Sequence, residues 1–417
     1  MFPFCSAAGR LSLIDAFFTS ASAICVTGLV VVDTATQFTL AGQIIILLLI
    51  QLGGLGIMTF STMVLLAAGR SITIYDRILV QEGYHPGSPH NFKALIKNIF
   101  MFTAVIEGVG FVLLFLRFLQ DHPWPRALFS GLFHSVSGFC NAGFSVYSDN
   151  LMGFRGDVFI NLVMSHLIIF GGLGFLVIGE VVKVGSGLLK GIKRKLSLHS
   201  KMVLMSTTIL IFGSFFIFLA LEKDQALRSF SWKDKILASF FQVVTPRTAG
   251  FNTIDTATLG TAAVLLLMLL MFIGASPGST GGGVKTSTFS VVLAFIRSKV
   301  AARDSVNIFY RTVPQDNVVR AFTLISLSLG LIFVGGFIVL ASQPGMLMRD
   351  VFFEVFSGFG TVGLSLGITS RLSVLSKIMI ILLMYAGRIG PLTLLMAFSR
   401  RRAIGKYEYI EERVLIG

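Results

Sequence analysis

The sequence predicts an all-α polytopic membrane protein in which one module occurs four times: an outer helix, a re-entrant helix with a short extended loop, and an inner helix. Three observations predict this. The composition is that of a lipid-embedded chain. Long apolar stretches alternate with loops of contrasting charge. A glycine-centred motif recurs four times at nearly constant spacing.

The 417 residues are 54% hydrophobic and only 13% charged, with a mean hydropathy of +0.84. Soluble domains carry about 25% charged residues, so an ordinary cytosolic enzyme is excluded. The net charge of +14, from 34 Lys+Arg against 20 Asp+Glu, would point to nucleic acid in a soluble protein. Here it is a matter of loop topology, and no nucleic-acid partner is expected. Cys5, Cys25 and Cys140 are an odd, scattered set and form no disulfide framework or metal motif. The first residues lack the basic and long apolar regions of a cleavable signal peptide.

A span needs about 20 mainly apolar residues. Seven stretches qualify: Phe38–Ala68, Ile99–Leu119, Val158–Val182, Met202–Leu221, Thr261–Ile296, Val319–Leu340 and Ile378–Phe398. Four intervening segments are basic: Arg70–Lys97, Lys183–Lys201, Arg297–Arg320 and the tail with Arg400, Arg401, Arg402, Lys406 and Arg413. They hold 20 of the 34 Lys+Arg. The positive-inside rule puts them, and the C-terminus, in the cytoplasm.

The other segments are too long and too apolar to be plain loops. They read FFTSASAICVTGLVVVDT, LFHSVSGFCNAGFSVYSDN, SFFQVVTPRTAGFNTIDT and FFEVFSGFGTVGLSLGITS. Aligned on Gly28, Gly143, Gly250 and Gly363, they lie 115, 107 and 113 residues apart. Ten residues before each glycine stands Phe18, Phe133, Phe240 or Phe353, and after each comes Leu29, Phe144, Phe251 or Leu364. Modules of this kind divide the chain into residues 1–70, 96–183, 199–297 and 318–399, with a cytosolic tail over 400–417.

Non-helical backbone at membrane depth is tolerated only inside protein or against a watery cavity. Four such loops around one axis present rings of backbone carbonyls. Those oxygens can replace the water of a bare monovalent cation, whose transfer to low dielectric costs about 20 kcal/mol in the idealised Born limit. Glycine is needed where φ > 0 turns successive carbonyls toward the axis. The filter candidates are Cys25-Val26-Thr27-Gly28, Cys140-Asn141-Ala142-Gly143, Arg247-Thr248-Ala249-Gly250 and Gly360-Thr361-Val362-Gly363, with the ion held by backbone oxygen. The bland alternative, simple turn glycines, does not account for the apolar helix preceding each. Asp33, Asp149 and Asp255 follow the first three glycines, as an acidic outer mouth or as caps of the inner helices; both readings stand.

The fifth span is broken by Gly274-Ala275-Ser276-Pro277-Gly278-Ser279-Thr280-Gly281-Gly282-Gly283-Val284-Lys285-Thr286-Ser287-Thr288. Pro277 and the glycines cannot continue a helix stably. A nucleotide P-loop needs Gly directly before Lys-Ser/Thr, and Val284 intervenes. A flexible plug below the filter fits the membrane context. Lys285 reads either as a second positive element of a gate or as a cytosolic-side anchor. Arg388 lies inside the last span, about ten residues from its end. An intramembrane arginine costs roughly 2.5–3.5 kcal/mol on insertion scales and marks a functional site by default. Glu107, His166 and Glu180 lie in or near spans without an assigned role.

Twenty-seven residues precede Gly28, room for a pore helix over Asp15–Ala23 but not for an outer helix. The first outer helix is therefore expected to be missing from this sequence, through fragmentation, a late assigned start, or truncation of the pattern.

CVTGLVVVDT, CNAGFS, RTAGFNT and GTVGLS, with GASPGSTGGGVKTSTF and the closing EERVLIG, resemble the Trk/Ktr/HKT superfamily of potassium transporters. The last two motifs look most like the Ktr-type bacterial membrane subunit. The resemblance covers nearly the whole chain. It implies a pseudo-fourfold pore of M1-P-M2 modules and channel-like K+ uptake across the plasma membrane. It also implies a homodimer, a cytosolic nucleotide-binding regulatory ring of the RCK/KTN type, and no enzymatic activity or covalently bound cofactor. Na+ modulation is left open. It further implies a gate in which Arg388 pairs with the intramembrane loop of Gly274, Ser276, Gly278, Ser279, Thr280, Gly281, Gly282, Gly283 and Lys285. A rival reading, a symporter with discontinuous helices, ordinarily shows two repeats rather than four. No constellation of catalytic side chains recurs at a cavity position, which disfavours a membrane-embedded enzyme.

Overall fold

The computed structural model describes residues 5–7, 9, 11–56 and 92–390, with side chains in the helix that begins at Phe92 described from Ile96. The parts of the first and last apolar stretches beyond residues 56 and 390, most of Arg70–Lys97 and the basic tail with EERVLIG lie outside the described residues.

The fold is almost wholly helical. Helix α1 spans Leu13–Ile24 and α2 Leu40–Leu55. Then come α3 (Phe92–Phe118), α4 (Trp124–Cys140), α5 (Val158–Leu173) and α6 (Phe175–Leu189). Helices α7 (Leu198–Glu222), α8 (Trp232–Val244), α9 (Thr261–Phe272) and α10 (Thr286–Val300) follow. Finally come α11 (Gln315–Ser342), α12 (Met348–Gly360) and α13 (Val374–Ile389). A two-residue hairpin, β1 (Asn307–Ile308) against β2 (Arg311–Thr312), joins α10 to α11.

The helix starts are set by local chemistry. Side chains of Ser12, Thr39, Asp157, Ser197, Ser231 and Ser373 accept from backbone N–H groups in the first turns of α1, α2, α5, α7, α8 and α13, which satisfies donors no helix can pair internally. Among the described residues three helices, Ile96–Phe118, Leu198–Glu222 and Gln315–Ser342, are long and apolar enough to cross a membrane. Their outward faces carry large exposed apolar side chains such as Val105, Phe216 and Phe337, as a lipid solvent permits.

The stretch Val158–Val182, expected as one continuous span, is two helices meeting at 103°. Gly174, at φ +90°, makes the break. Helices α2 and α13 stop the same way at Gly56 (φ +83°) and Gly390 (φ +96°). These endings align as Gly53-Gly54-Leu55-Gly56, Gly171-Gly172-Leu173-Gly174 and Gly387-Arg388-Ile389-Gly390. Three residues before each break, a glycine lies against a carbonyl just before a glycine segment. An added Cβ would stand 2.0 Å from the Ile24 oxygen at Gly53, 2.0 Å from the Phe139 oxygen at Gly171 and 1.7 Å from the Phe359 oxygen at Gly387. Any side chain there would push the helix off its neighbour.

Long helices α3, α7 and α11 pack on the short helices α4, α8 and α12 respectively. The core lies between the short helices and the loops that follow them. Phe18, Phe133 and Phe353 are fully buried, as are Leu29, Phe144, Phe251 and Leu364 after the glycines. Phe240 departs from its expected place. It is only partly buried, and Phe241 is the fully buried ring. From the buried ring to the glycine the third segment is one residue shorter, so an alignment on Gly250 picks the neighbouring phenylalanine.

Candidate functional site: a ring of four glycine segments and the loop beneath it

Each short helix ends in a loop with the same backbone pattern. Gly28, Gly143, Gly250 and Gly363 take φ of +92°, +69°, +75° and +95°. Two residues earlier Val26, Asn141, Thr248 and Thr361 also have positive φ, at 56°, 61°, 72° and 50°. The segments form no β ladder, in contrast to the strand-like expectation; left-handed residues alternate with others. Left-handed backbone costs an L-residue roughly 1–2 kcal/mol, so its recurrence at one non-glycine position shows that the surrounding packing imposes it.

The four segments close on one another. A Cβ on Gly28 would lie 2.4 Å from the Ala142 carbonyl oxygen, one on Gly143 2.8 Å from Ala249 O, one on Gly250 2.1 Å from Val362 O and one on Gly363 2.2 Å from Thr27 O. The order is therefore first, second, third, fourth and back to the first. The second and fourth segments face each other across the ring. A hydroxyl on each short helix braces its loop. Ser22 Oγ accepts from Gly28 N at 3.1 Å and Ser357 Oγ from Gly363 N at 3.0 Å. Ser137 Oγ donates to Phe144 O at 2.8 Å and Thr245 Oγ1 to Phe251 O at 2.6 Å. Cys25, Cys140, Arg247 and Gly360 begin the segments, and all four are buried. Arg247 Nε and Nη2 are buried without a hydrogen-bond partner.

The segment between α9 and α10 is non-helical, as the sequence predicts. It runs beside itself, with Ala275 N donating to Gly282 O (3.3 Å) and Val284 N to Phe272 O (3.2 Å). It is sewn to the elements around it. Ser276 N and Thr280 N donate to Gly172 O and Gly171 O at the end of α5, at 3.0 and 3.1 Å. Phe175 N donates to Gly278 O (3.0 Å) and Gly283 N to Gly387 O (3.2 Å). Gly282 N donates to Thr361 Oγ1 (3.1 Å) and Thr280 Oγ1 to Phe139 O (3.1 Å). These last two bonds fix the loop directly against the bases of the fourth and second glycine segments. Ser279 Oγ donates to Ser276 O at 2.6 Å.

Arg388 joins this loop to α2. Its guanidinium donates to the carbonyls of Thr280 and Gly53. Gly53 lies in the last turn of α2, and its carbonyl also accepts from Gly56 N at 3.1 Å. Lys285 Nζ turns back on the loop, donating to Gly281 O at 2.6 Å and, at 3.5 Å, to Gly282 O.

The three expected mouth acids are engaged locally. Asp33 accepts from Ala35 N and Asp255 from Ala257 N, each at 2.9 Å, and Asp149 from Gly153 N at 3.0 Å. They cap short turns. The inner helices α2, α5 and α13 are capped instead by Thr39, Asp157 and Ser373. Asp149 and Asp255 are exposed and Asp33 half-buried.

Of the residues without an assigned role, Glu107 on α3 accepts from Gln51 Nε2 at 3.2 Å, and the Cys140 thiol lies 3.7 Å from its other oxygen. Glu180 accepts from Ser197 N and Oγ, tying α6 to the start of α7. His166 is exposed on α5. The sequence reading missed Gln51, the bracing hydroxyls and two buried polar residues, His134 and Glu354. The hydroxyls were detectable: Ser22, Ser137 and Ser357 each stand six residues before a ring glycine.

Apolar spanning helices around a closed ring of glycine loops define a membrane transport protein that passes an ion, and comparison with known proteins agrees. The family described as TrkH, cation transport protein, matches residues 3–408. The chain belongs to this family and is a multi-pass membrane transporter, not an enzyme. It is 40% identical over 392 residues to the Ktr system potassium uptake protein B of Bacillus subtilis, covering 94% of this chain and 86% of that one. It is 38% identical over 409 residues to the Vibrio alginolyticus protein of the same name, covering 98% and 89%. It is 36% identical over 422 residues to the potassium/sodium uptake protein NtpJ of Enterococcus hirae, covering 100% and 92%. The fold matches the crystal structure of the potassium transporter TrkH from Vibrio parahaemolyticus at TM-score 0.73 and 21% identity, over 94% of this chain and 79% of that one.

Proposed function

We propose that the protein is a potassium-selective, channel-like uptake subunit whose filter is the ring of four glycine segments. The observation that carries this reading is the closed cycle of contacts from Gly28 to Ala142, Gly143 to Ala249, Gly250 to Val362 and Gly363 to Thr27. The names of the relatives, potassium uptake proteins of Ktr systems, support the choice of ion. In this reading the chain is a pseudo-fourfold set of M1-P-M2 modules. K+ sits among backbone carbonyls of residues 25–28, 140–143, 247–250 and 360–363, which replace its hydration water.

The loop of residues 274–285, three residues shorter than expected because α10 begins at Thr286, forms with Arg388 the gate beneath the filter. Support comes from the bonds of Gly282 N to Thr361 Oγ1 and of Arg388 to Thr280 O and Gly53 O. With the loop in place, a fixed positive charge and a backbone plug stand below the filter. Opening requires the loop to exchange these bonds for others. The agent is a cytosolic nucleotide-binding regulatory ring acting on a homodimer of this subunit, with the C-terminus on the cytoplasmic side; that the relatives are named as parts of a system supports a partner. The double ion in the name of NtpJ supports a role for Na+ alongside K+. Asp33, Asp149 and Asp255 add negative potential at the outer mouth.

The test is isotope flux in proteoliposomes, K+ against Na+, with no counter-substrate. The expected result is K+-preferring flux that runs down its gradient without a coupled ion. Flux that strictly requires a co-transported ion would overturn the channel-like reading in favour of a symporter.

A further inference from the structure

The hydroxyls that brace the four loops are alike, but a second layer behind them is not. Three residues before each hydroxyl, on the same face of the short helix, stands a buried polar residue: Thr19, His134, Gln242 and Glu354. In the second and fourth segments this residue reaches the chain leaving the ring. His134 Nδ1 lies 2.8 Å from Ser130 O, which can only accept, so Nδ1 carries the proton and Nε2 is left to accept from Ser145 Oγ at 2.9 Å. Glu354 accepts from Ser365 Oγ at 2.8 Å and also from Thr369 Oγ1.

Ser145 and Ser365 occupy the same place, two residues past the glycine, and accept the same bond, from Tyr147 N and Gly367 N, each at 3.0 Å. His134 is further held by the Tyr147 ring stacked on it at 5.1 Å. The first and third segments lack this link. Their residues two past the glycine are Val30 and Asn252. Thr19 Oγ1 donates back to its own helix at Asp15 O (2.8 Å), and both side-chain polar atoms of Gln242 are buried with no partner.

We propose that His134 and Glu354 are positioning residues that clamp the second and fourth glycine segments from behind, leaving the opposed first and third segments as the pair that yields. The inference rests on the filter reading of the ring. A loop tied to its helix at two points, at or just past the glycine and again two residues beyond it, holds its carbonyls against the pull of a smaller ion. A loop tied at one point moves with it. Two clamped segments facing each other set the width of the ring along one diagonal. The other diagonal adjusts to the ion that passes.

The experiment measures K+ and Na+ flux of the full chain in proteoliposomes for Ser145→Ala and Ser365→Ala, which remove the clamping donor and leave the short helix untouched. Thr19→Val and Gln242→Met serve as matched changes in the unclamped pair, and Glu354→Gln as a conservative step. The expected result is a several-fold rise in Na+ relative to K+ flux for both serine variants and a smaller rise for Glu354→Gln. Melting temperature stays near wild type, and the ratio is unchanged in Thr19→Val and Gln242→Met. Equal shifts in all variants, or a loss of melting temperature with no change in ion ratio, would overturn the clamp. Gly363→Ser separates the two readings. If it alters the ion ratio while Ser145→Ala and Ser365→Ala do not, the clamp fails and the filter stands. If it too leaves the ratio unchanged, the filter reading fails.

Discussion

The ring of glycine segments and the loop beneath it both depend on glycine for close approach, and they are held in different ways. In the ring each glycine is wedged against the carbonyl of the next segment, and each segment is braced by a hydroxyl on its own helix. Four similar contacts close on themselves, so each segment is steadied by its neighbours on both sides. The loop of residues 274–285 occurs once among the described residues. It is held by two hydrogen bonds to α5, two to α13 and one to the base of each of two ring segments. Such bonds are worth about 0.5–1.5 kcal/mol each net of their exchange with water. A closed cycle fixes a geometry, whereas a loop held by separable bonds can be removed and returned. The difference suits a filter above and a gate below.

The largest effect is expected where that cycle is broken. At Gly363 a serine would meet two penalties at once: φ of +95° and a Cβ only 2.2 Å from Thr27 O. The backbone term alone is about 1–2 kcal/mol, and relief of the collision must shift a ring carbonyl. Gly363→Ser, and likewise Gly143→Ser, should reduce K+/Na+ discrimination by about tenfold or more, since each 1.4 kcal/mol is worth a factor of ten. Competitive uptake of the two ions measures it. Unchanged discrimination in both variants would place the selective element elsewhere.

The next largest change should fall on rate and spare ion preference. Arg388→Ala removes donors to Thr280 O and Gly53 O. Hydrogen bonds from charged groups contribute about 1.5–3 kcal/mol, so the closed loop should lose enough stability for K+ flux to rise about tenfold and to depend less on the proposed cytosolic partner. Deletion of Gly278 to Gly283 should act in the same direction. Flux with and without the partner checks both. If selectivity collapses at unchanged flux, Arg388 supports the ring and does not gate it.

Much of this contrast was legible in the sequence, because a ring built from repeats leaves a repeated signal. Four glycines at near-constant spacing marked the segments, and Pro277 with its glycines marked the break. The register was misread only at Phe240, where a one-residue shortening is invisible to an alignment on glycine. The breaks at Gly56, Gly174 and Gly390 were not read, because a hydropathy window averages over a glycine and carries no dihedral information. The aligned GGLG, GGLG and GRIG endings would have shown them. Arg388 stood out by its charge. Its partner Gly53 did not, since a backbone carbonyl has no signature in a sequence.

A smaller effect tests whether the bend at Gly174 matters to the loop. An added Cβ there would lie 2.6 Å from Pro277 O, at φ +90°. Gly174→Ala should cost about 1–2 kcal/mol from the backbone and loosen the bond from Phe175 N to Gly278 O. The expected outcome is a lower melting temperature in detergent and a modest rise in K+ flux with ion preference intact. A change in preference would mean that α5 steadies the ring directly.

The smallest effect lies at the outer edge, where the ring's first helix meets its last neighbour. Asp15 at the start of α1 accepts from Ser12 Oγ and, at 2.6 Å, from Lys377 Nζ near the start of α13. Partial burial raises the Asp15 carboxyl, but the hydrogen bonds from Lys377 and Ser12 and the charge of Lys377 outweigh it and hold the group below its ordinary range. A lowered folded pKa means that the pair stabilises the fold above the unfolded carboxylate value, about 3.9, and that this contribution is lost as pH falls through the lower folded value. The pair is partly exposed, so screening limits it to about 0.5–1 kcal/mol. Asp15→Asn should therefore lower the melting temperature slightly at neutral pH, and the difference from wild type should shrink as pH falls below about 4 and vanish once it passes the lower folded value. K+/Na+ preference should not change, because Asp15 braces only the outer end of α1, while the ring contacts of Gly28 and Gly363 lie beyond its inner end. A melting difference that persists at low pH would show that the asparagine disturbs packing rather than removing a charge pair. A change in ion preference would show that the first segment, which has no clamp behind it, takes its position from this salt bridge.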